Sequence, residues 1–369
     1  MGTEVTDVVE PPLVWPSTLR RPAEGVPIVY LDLNHWISLA KAAVGHAQGD
    51  AFKECLATCQ SAVNSGRATF VLAAAHYSEI LKVGSPRQRR DLADVMESLT
   101  RFRTLVSRVT VMKLELAAAL DLVLRLTRRD PEIDLIGHGV CHAFGQSNGG
   151  FRIRDRATGE DVTPQFREKY GPEKFDAYMA NALLDLERSN LRGPQDHTEL
   201  QKLQTLGYAP QQALQIAKNR ADEERAQSLR LDGGGPWRRE RLPDVVSARE
   251  LLIEFQNMAP TAFQERGVGL EDILTWPEAG VAFMRSMPST DVSMALKTAW
   301  HRNRDKPWSA NDIYDIDAMA LAVPYCDVVV TEKACHHALV STGMDARMNT
   351  VLLRDLPSLV STLRDWKAA

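Results

Sequence analysis

The sequence has few cysteines and no cysteine pair at metal-binding spacing. Its five cysteines are Cys55, Cys59, Cys141, Cys326 and Cys335. None of them forms a CxxC pair, which disfavours a zinc ribbon, and their odd and scattered arrangement disfavours a disulfide framework. We expect most of the five to be buried, reduced thiols.

Long apolar runs are also missing. No run approaches the roughly 20 residues that a helix needs to cross a bilayer, and the first ten residues carry acids but no basic residue, unlike a secretory signal. We therefore expect a cytoplasmic protein that does not associate with a membrane. With 44% hydrophobic and 25% charged residues, the composition is typical of a globular protein with a sizeable core.

The chain has no excess of positive charge. Its formal net charge is -4, which weighs against attraction of the whole protein to nucleic acid. Between residues 82 and 130, however, eleven Lys and Arg residues stand against six acids. This segment is either a surface that contacts phosphates or a solvated helix face.

No repeat of fixed period is present, and the informative patterns lie near the two ends of the chain. Residues 1–25 contain four prolines and no clear periodicity, which predicts an extended arm. Short, continuous apolar runs at 28–31 and 69–72 predict strands that are buried on both faces, each followed by a helical stretch.

Strong helix formers then dominate up to about residue 304, after which the alternation of helix and strand returns. A helix at 311–323 precedes strands at 328–331 and 350–353, and a last helix closes the chain. We predict an α/β fold with a parallel sheet flanked by helices and interrupted by a large all-α insertion. The predicted parts are an extended arm at 1–25, a first core part at 26–87, the helical insertion at 88–304 and a second core part at 305–369.

Two acids stand directly after predicted strands. Asp32 follows the first strand and Glu332 follows the strand at 328–331. Ligands collect outside the carboxyl ends of strands in open α/β sheets, and two carboxylates placed there would repel each other by several kcal/mol if close and unneutralised. A divalent cation offsets that repulsion, and ligands that are all oxygen favour Mg²⁺ or Mn²⁺. The alternative, favoured for either acid alone, is that each caps the following helix.

Further acids extend the set. Asp312, Asp315 and Asp317 stand at the start of a predicted helix, where they suit its positive dipole end. Asp312 and Asp315 are three residues apart and hence on one helical face, whereas Asp317 points elsewhere. This density exceeds what capping requires, so for the whole set we favour a metal site. Glu79, helical and three residues after His76, is the remaining candidate.

In this order along the chain, four segments resemble the PIN domain superfamily of metal-dependent nucleases: 29–34, 76–80, 311–315 and 325–333. The resemblance covers the two flanking parts, roughly a third of the chain. It implies that Asp32, Asp315 and Glu332 hold the metal and that Glu79 is the family's helix glutamate.

The resemblance also assigns auxiliary positions. Glu332 falls where many members carry aspartate, which lengthens the side chain and favours contact with the metal through water. Asn34 and Thr331 are expected to orient the acids. Asp312 and Asp317 are auxiliary candidates beside Asp315, which lies sixteen residues before Thr331, close to the spacing in toxin-type members.

The implied activity is phosphodiester hydrolysis that depends on Mg²⁺ or Mn²⁺. RNA is favoured over DNA, because many stand-alone bacterial members are ribonucleases, often of toxin or defence type. Two alternatives stay open: a degenerate PIN-like fold kept as a binding or assembly module, and a structure-selective DNA nuclease. The helical insertion would contact the substrate, an inhibitor protein or a second copy of the chain.

Several other residues are weaker candidates. Trp300, Trp308 and Tyr314 suit base stacking, although packing in the core is more common. Asp327 precedes the strand that Glu332 follows, and five residues of strand would separate the two by roughly 16 Å. We therefore do not expect Asp327 to share the metal.

Overall fold

The computed structural model describes residues 10–22, 25–127, 131–146, 152–205, 209–232, 237–269 and 278–366, and these residues form a mixed α/β fold. The strands are β1 Leu19–Arg20, β2 Ile28–Leu31, β3 Thr69–Val71, β4 Arg103–Leu105, β5 Ile133–Asp134, β6 Ile136–His138, β7 Val328–Val330 and β8 Val351–Leu353. The α-helices are α1 Leu33–Ala43, α2 Lys53–Asn64, α3 Ala74–Ile80, α4 Pro86–Thr100, α5 Arg108–Leu124, α6 Gly139–Ala143, α7 Thr163–Tyr170, α8 Pro172–Arg192, α9 His197–Thr205, α10 Pro210–Asp232, α11 Trp237–Glu240, α12 Leu242–Arg249, α13 Ala259–Gln264, α14 Glu278–Ser286, α15 Pro288–Arg302, α16 Ala310–Tyr325, α17 Lys333–Ser341, α18 Met344–Met348 and α19 Leu356–Asp365; Ala47–Phe52 is a 3-10 helix and Glu250–Glu254 a π-helix. Of the helices that the described residues form, none combines the length and the apolar character needed to cross a bilayer.

A four-stranded parallel sheet in the order β3-β2-β7-β8 is the centre of the fold. Its strands β2 and β7 are apolar throughout and buried at every position. Such runs are stable where helices cover both faces of a sheet. The predicted parallel sheet and the four predicted strand positions are therefore confirmed, with ends that shift by a single residue.

The order of the strands creates a crevice between β2 and β7. From β2 the chain passes to β3 on one side, and it later returns to β7 on the other side. In open α/β sheets, ligands bind outside the carboxyl ends of the strands at such a switch point. Leu31 pairs with Val330, so the residues that follow them, Asp32 and Thr331, leave the sheet at the same level.

Alternate residues of the central strand pack into two different cores. Val29 and Leu31 lie in one apolar cluster with residues of α1, α2, α4 and α19. Ile28 and Tyr30 lie in another cluster with residues of α15, α16 and α17. Because strand side chains alternate between faces, α1 and α16 cover opposite faces of the sheet. Their N-terminal ends can therefore approach the crevice from both sides.

The expectation that 88–304 is all-helical is wrong, since β4, β5 and β6 lie within it. β4 pairs antiparallel with β6 and also exchanges backbone hydrogen bonds of 2.9 and 2.8 Å with Leu72, which extends the main sheet beyond β3. The cause is local: α4 is followed by Arg101 and Phe102, which both have a positive φ, 51 and 57. These two residues turn the chain into a strand too short to show a periodicity in the sequence.

The described part of the predicted arm packs against the rest of the protein. Residues 1–9 and 23–24 of that arm lie outside the described residues. Trp15 meets Tyr325 edge-on at 5.6 Å between ring centroids, and Glu10 forms ion pairs with Arg285 and Arg347. β1 pairs with β5, a strand of the predicted insertion. The division of the chain into four parts stays a prediction.

Candidate functional site

A cavity of about 270 Å³ opens at the carboxyl ends of β2 and β7. Its lining residues are Asp32, Leu33, Asn34, Glu79, Lys82, Val83, Asn311, Asp315 and Glu332. All four acids of the predicted metal site line this one cavity, although they come from four distant segments of the chain. We call it the acid cavity.

Asp32 both caps a helix and faces the crevice. It follows β2 directly and is the N-cap of α1, where its Oδ1 accepts a hydrogen bond of 2.7 Å from the backbone N–H of Leu33. The hydroxyl of Thr331 donates to the other carboxylate oxygen at 3.4 Å. Only 7% of Asp32 is exposed, and burial raises the pKa of its carboxyl, against the lowering effect of these hydrogen bonds. Capping therefore accounts for one of the two oxygens.

Glu332 occupies the equivalent position after β7. It is the N-cap residue of α17, but its side chain makes no capping hydrogen bond. The side-chain amide of Asn34 instead donates to its Oε1. Burial and the nearby Asp32 raise the pKa of Glu332. The capping explanation thus fails for Glu332, and Asn34 orients this carboxylate across the crevice.

Asp315 and Glu79 bring further negative charge into the cavity from α16 and α3. Burial raises the pKa of Asp315 to about 8, helped by repulsion from Asp32, Glu79 and Glu332. Burial also raises the pKa of Glu79 to about 7, although the Lys82 ammonium, 3.5 Å away, acts in the opposite direction. Of the described residues that line the acid cavity, four thus carry carboxyl groups and one, Lys82, carries a cation.

His76 connects the two elements that carry Asp32 and Glu79. Its Nδ1 accepts a hydrogen bond of 2.9 Å from the Ala73 N–H, so the proton is on Nε2, which donates to the Leu31 carbonyl at 2.7 Å. The ring is fully buried, and burial lowers the pKa of His76 to about 4, which keeps it neutral. The sequence places this histidine three residues before Glu79, but its partners could not be known from that spacing.

Asp312 does not line the acid cavity, although it is three residues from Asp315 on α16. Its carboxylate accepts hydrogen bonds from the Ser309 backbone at 2.8 Å and from the Trp300 indole at 2.8 Å. Asn311, four residues before Asp315, lines the cavity instead. Asp312 belongs to the capping box at the start of α16, and the S-x-x-D pattern that forms it is visible in the sequence.

Asp317 lies outside the acid cavity as well. It pairs with Arg108 and, at 2.6 Å, with Arg220. Arg220 also pairs with Glu254 at 3.0 Å, and Glu254 is 2.9 Å from the buried ammonium of Lys297. Asp317 is thus part of a structural ion network that joins α16 to α5, α10 and α15.

The remaining candidates are placed as follows. Trp300 and Trp308 are buried, at 5% and 2% exposed, and belong to the core. The Lys82 ammonium lies 4.0 Å above the Tyr314 ring. Asp327 accepts a hydrogen bond of 2.7 Å from the Ile28 backbone, at the amino end of β2. It therefore lies away from the acid cavity, as expected.

The types of ligand in the acid cavity suit a divalent cation, but the positions of their side chains suit it less well. Its carboxylate oxygens are ligands that Mg²⁺ and Mn²⁺ prefer. The pKa values of Asp315 and Glu79 are raised mainly by burial and further by repulsion from neighbouring carboxylates, which a cation would offset. Within the described residues, however, no three His, Cys, Asp or Glu side chains form a group that could hold a metal ion. As they stand, Glu79 is paired with Lys82, and one oxygen of Glu332 accepts the hydrogen bond of Asn34.

No protein-family model, curated protein or solved structure matches the chain. Its function has to be inferred from the geometry and charge of the acid cavity.

Proposed function

We propose that the chain is a nuclease of PIN-domain type that depends on Mg²⁺ or Mn²⁺ and hydrolyses phosphodiester bonds. The observation that carries the proposal is the convergence of Asp32, Glu79, Asp315 and Glu332 on one cavity at the switch point of a parallel sheet. Perturbed carboxyl groups gathered in a cleft are typical of functional sites. Ion pairing within the structure does not account for them, because the described residues that line the cavity include a single cation, Lys82.

Each acid has a role in this proposal. Asp32, Asp315 and Glu332 would hold the ion, which supplies Lewis acidity and offsets negative charge on the phosphate. Glu79, whose pKa is about 7, is suited to hold or release a proton at neutral pH. Lys82 limits the negative charge beside Glu79 and lies at the cavity wall, where a phosphate oxygen would approach.

Neighbouring polar groups orient the acids. The Thr331 hydroxyl supports Asp32 and the Asn34 amide supports Glu332. Partners of this kind fix ligand orientation, and their loss typically reduces metal affinity or activity by about 10–100-fold.

RNA is the substrate class we favour, and an endoribonuclease of toxin or defence type is the form that the resemblance to the PIN superfamily supports. The same site chemistry serves DNA equally well, so a structure-selective DNA nuclease is the nearest alternative. A contact of the helical insertion with an inhibitor protein or a second copy of the chain stays a prediction.

A second candidate function is a binding or assembly module without catalysis. One observation favours it: the described residues contain no ready-made group of three metal-ligating side chains. In that case the acids of the cavity would be neutralised by protonation and by Lys82 alone.

Cleavage assays separate these functions. Labelled single-stranded RNA, single-stranded DNA and branched DNA are incubated with the purified protein in Mn²⁺ and in chelator. We expect Mn²⁺-dependent cleavage of RNA that falls by more than about 100-fold in Asp32→Asn, beyond the usual cost of losing an orienting partner. The matched control is Asp327→Asn, at the other end of the sheet, which should cleave normally.

The remaining outcomes identify the alternatives. Metal-dependent cleavage confined to branched DNA would identify the DNA nuclease. An absence of cleavage with every polymer, together with no bound Mn²⁺, would identify the binding module and contradict the proposal.

A further inference from the structure

A second cavity of about 480 Å³ has two of its walls, α3 and α16, in common with the acid cavity. Its walls come from the starts of α3 and α5, from the end of α6 and from one side of α16. Ser78 and Tyr314 line the second cavity, while their chain neighbours Glu79 and Asp315 line the acid cavity. The same two helices therefore contribute side chains to both cavities.

We propose that this second cavity binds one nucleotide of a single nucleic-acid strand, next to the phosphate that the acid cavity would hold. The inference rests on the proposed function and adds to it the position of the strand. The volume lies within the range of roughly 300–1,000 Å³ that is typical of small-molecule sites.

One side of the second cavity is suited to a phosphate. The 17-residue helix α5 starts there, with Ser107 as its N-cap and with Arg108, Val109 and Thr110 in the lining. Backbone N–H groups and the positive dipole end make a helix N-terminus a site for anions. Lys113, exposed and one turn further along, adds a cation to the same wall.

Arg108 is a second and independent indication of a polar ligand. Its guanidinium pairs with Asp317 through Nη1, and its side chain is only 11% exposed. Its buried Nε nevertheless has no hydrogen-bond partner among the described residues. Buried polar atoms are rarely left unpaired, so the Nε is a donor that remains for a further partner.

The rim of the second cavity is suited to a base. Phe144 is 48% exposed there and meets Tyr77 edge-on at 6.3 Å between centroids, so the ring is held in position with much of its surface open. Exposed aromatic rings beside cationic grooves are the usual stacking platforms for single strands. Gly145 allows this arrangement, because its φ is +73 and a Cβ would lie 2.6 Å from the Ser107 Oγ.

The charges of the two cavities differ in sign. The acid cavity has four carboxylates and Lys82, whereas the second cavity has Arg108 and Lys113 against Asp317. This separation places a cation in one cavity and a phosphate in the other. It also favours phosphate contact over a purely solvated face for these basic residues of the 82–130 segment.

Binding of short oligonucleotides tests the inference without cleavage. A fluorescently labelled RNA pentamer and its DNA counterpart are titrated with full-length protein in chelator, where no metal-dependent cleavage occurs. We expect Phe144→Ala to weaken binding about tenfold and to leave the salt dependence unchanged. Lys113→Ala should weaken binding and reduce the salt slope by about 0.7, the value for one phosphate contact on a single strand.

The matched controls are Phe166→Ala and Lys169→Ala, which lie on α7 and line neither cavity. They should bind the pentamers like the unmodified protein, and thermal melting should show that all four variants are folded. Preference for RNA or DNA pentamers then tells whether the sugar is recognised.

The outcomes distinguish the two proposals. Equal binding by folded Phe144→Ala and Lys113→Ala variants and the unmodified protein overturns the inference, even if metal-dependent cleavage is observed. Binding that depends on Phe144 and Lys113 supports the second cavity as a nucleotide site, even if no polymer is cleaved and the proposed nuclease function fails.

Discussion

Asp315 and Asp317 are two residues apart on α16, yet their surroundings are opposite. Burial raises the pKa of Asp315, and repulsion from four other carboxylates raises it further, to about 8. Burial also acts to raise the pKa of Asp317, but Arg220 and Arg108 outweigh it and lower the pKa. Burial of an acid therefore does not by itself show whether the acid has a structural or a functional role. The balance of charge around the acid separates the two cases.

The ion network around Asp317 has cations enough for its acids. Lys297 alone is within 2.8 Å of Glu250 and 2.9 Å of Glu254, and Arg108 and Arg220 share Asp317. Removing one partner from such a network leaves a buried charge unpaired, which is costly. The acid cavity has no such balance, so loss of one of its acids removes repulsion.

Stability measurements on two matched variants give the largest contrast. Asp317→Asn should lower the free energy of unfolding by about 2 kcal/mol, less than the roughly 3–5 kcal/mol for breaking a fully buried pair, because 28% of its side chain is exposed. Asp315→Asn should leave the free energy of unfolding unchanged or raise it, since it relieves repulsion. Denaturant unfolding at neutral pH with chelator measures both. Equal destabilisation by the two variants would contradict the contrast.

A smaller effect is expected at Asn34, which orients Glu332 without belonging to the buried core. Asn34→Ala should weaken Mn²⁺ binding about tenfold with little change in stability, because Asn34 and Glu332 are both exposed. Calorimetric titration and thermal melting measure the two quantities. Asn34→Asp is the companion variant, because its carboxylate cannot donate the hydrogen bond that the Asn34 amide donates to Glu332. Unchanged Mn²⁺ affinity in Asn34→Ala would show that this hydrogen bond is not needed.

The pH dependence of stability should differ in sign between the two regions. The pKa values of Asp315 and Glu79 are raised to about 8 and about 7, so the folded state binds more protons than the unfolded state between about pH 4 and 8. These groups therefore cost stability as the pH rises through that window. The lowered pKa of Asp317 has the reverse effect, a stabilisation that is lost as the pH falls below about 4.

Melting curves with chelator test this sign. Between about pH 5 and 8, the melting temperature of the unmodified protein should fall more than that of Asp315→Asn. Parallel curves for the two proteins would show that the carboxyl of Asp315 does not titrate in this range.

Local patterns in the sequence predicted the sheet well. Continuous apolar runs at 28–31 and 328–331 identified buried parallel strands. A strand that helices cover on both faces has apolar side chains at every position, and such a run is easy to see in a sequence. The location of the acids that follow those strands could then be predicted, because ligands bind outside the carboxyl ends of the strands in such sheets. Asp32 and Glu332 could be placed at one crevice without knowledge of any distant contact.

Distant partners could not be predicted. The pairing of Asp317 with Arg220 depends on how helices far apart in the chain pack together, whereas the contact of Asp312 with Ser309 is local. β4 could not be predicted, because a strand of three residues is too short to show an alternation of apolar and polar residues. Its partners Leu72 and β6 also come from elsewhere in the chain. The second cavity joins four separate elements, so no motif marks it.

We expect the excess negative charge of the acid cavity to be neutralised by protons when metal is absent and by a divalent cation when it is present. Calorimetric titration with Mn²⁺ at about pH 7, in two buffers of different ionisation enthalpy, tests it directly, because metal ions bind deprotonated ligands and release protons. We predict that Mn²⁺ binds with proton release and that Asp315→Asn reduces both the affinity and the number of protons released. An absence of Mn²⁺ binding, or binding without proton release, would contradict the claim.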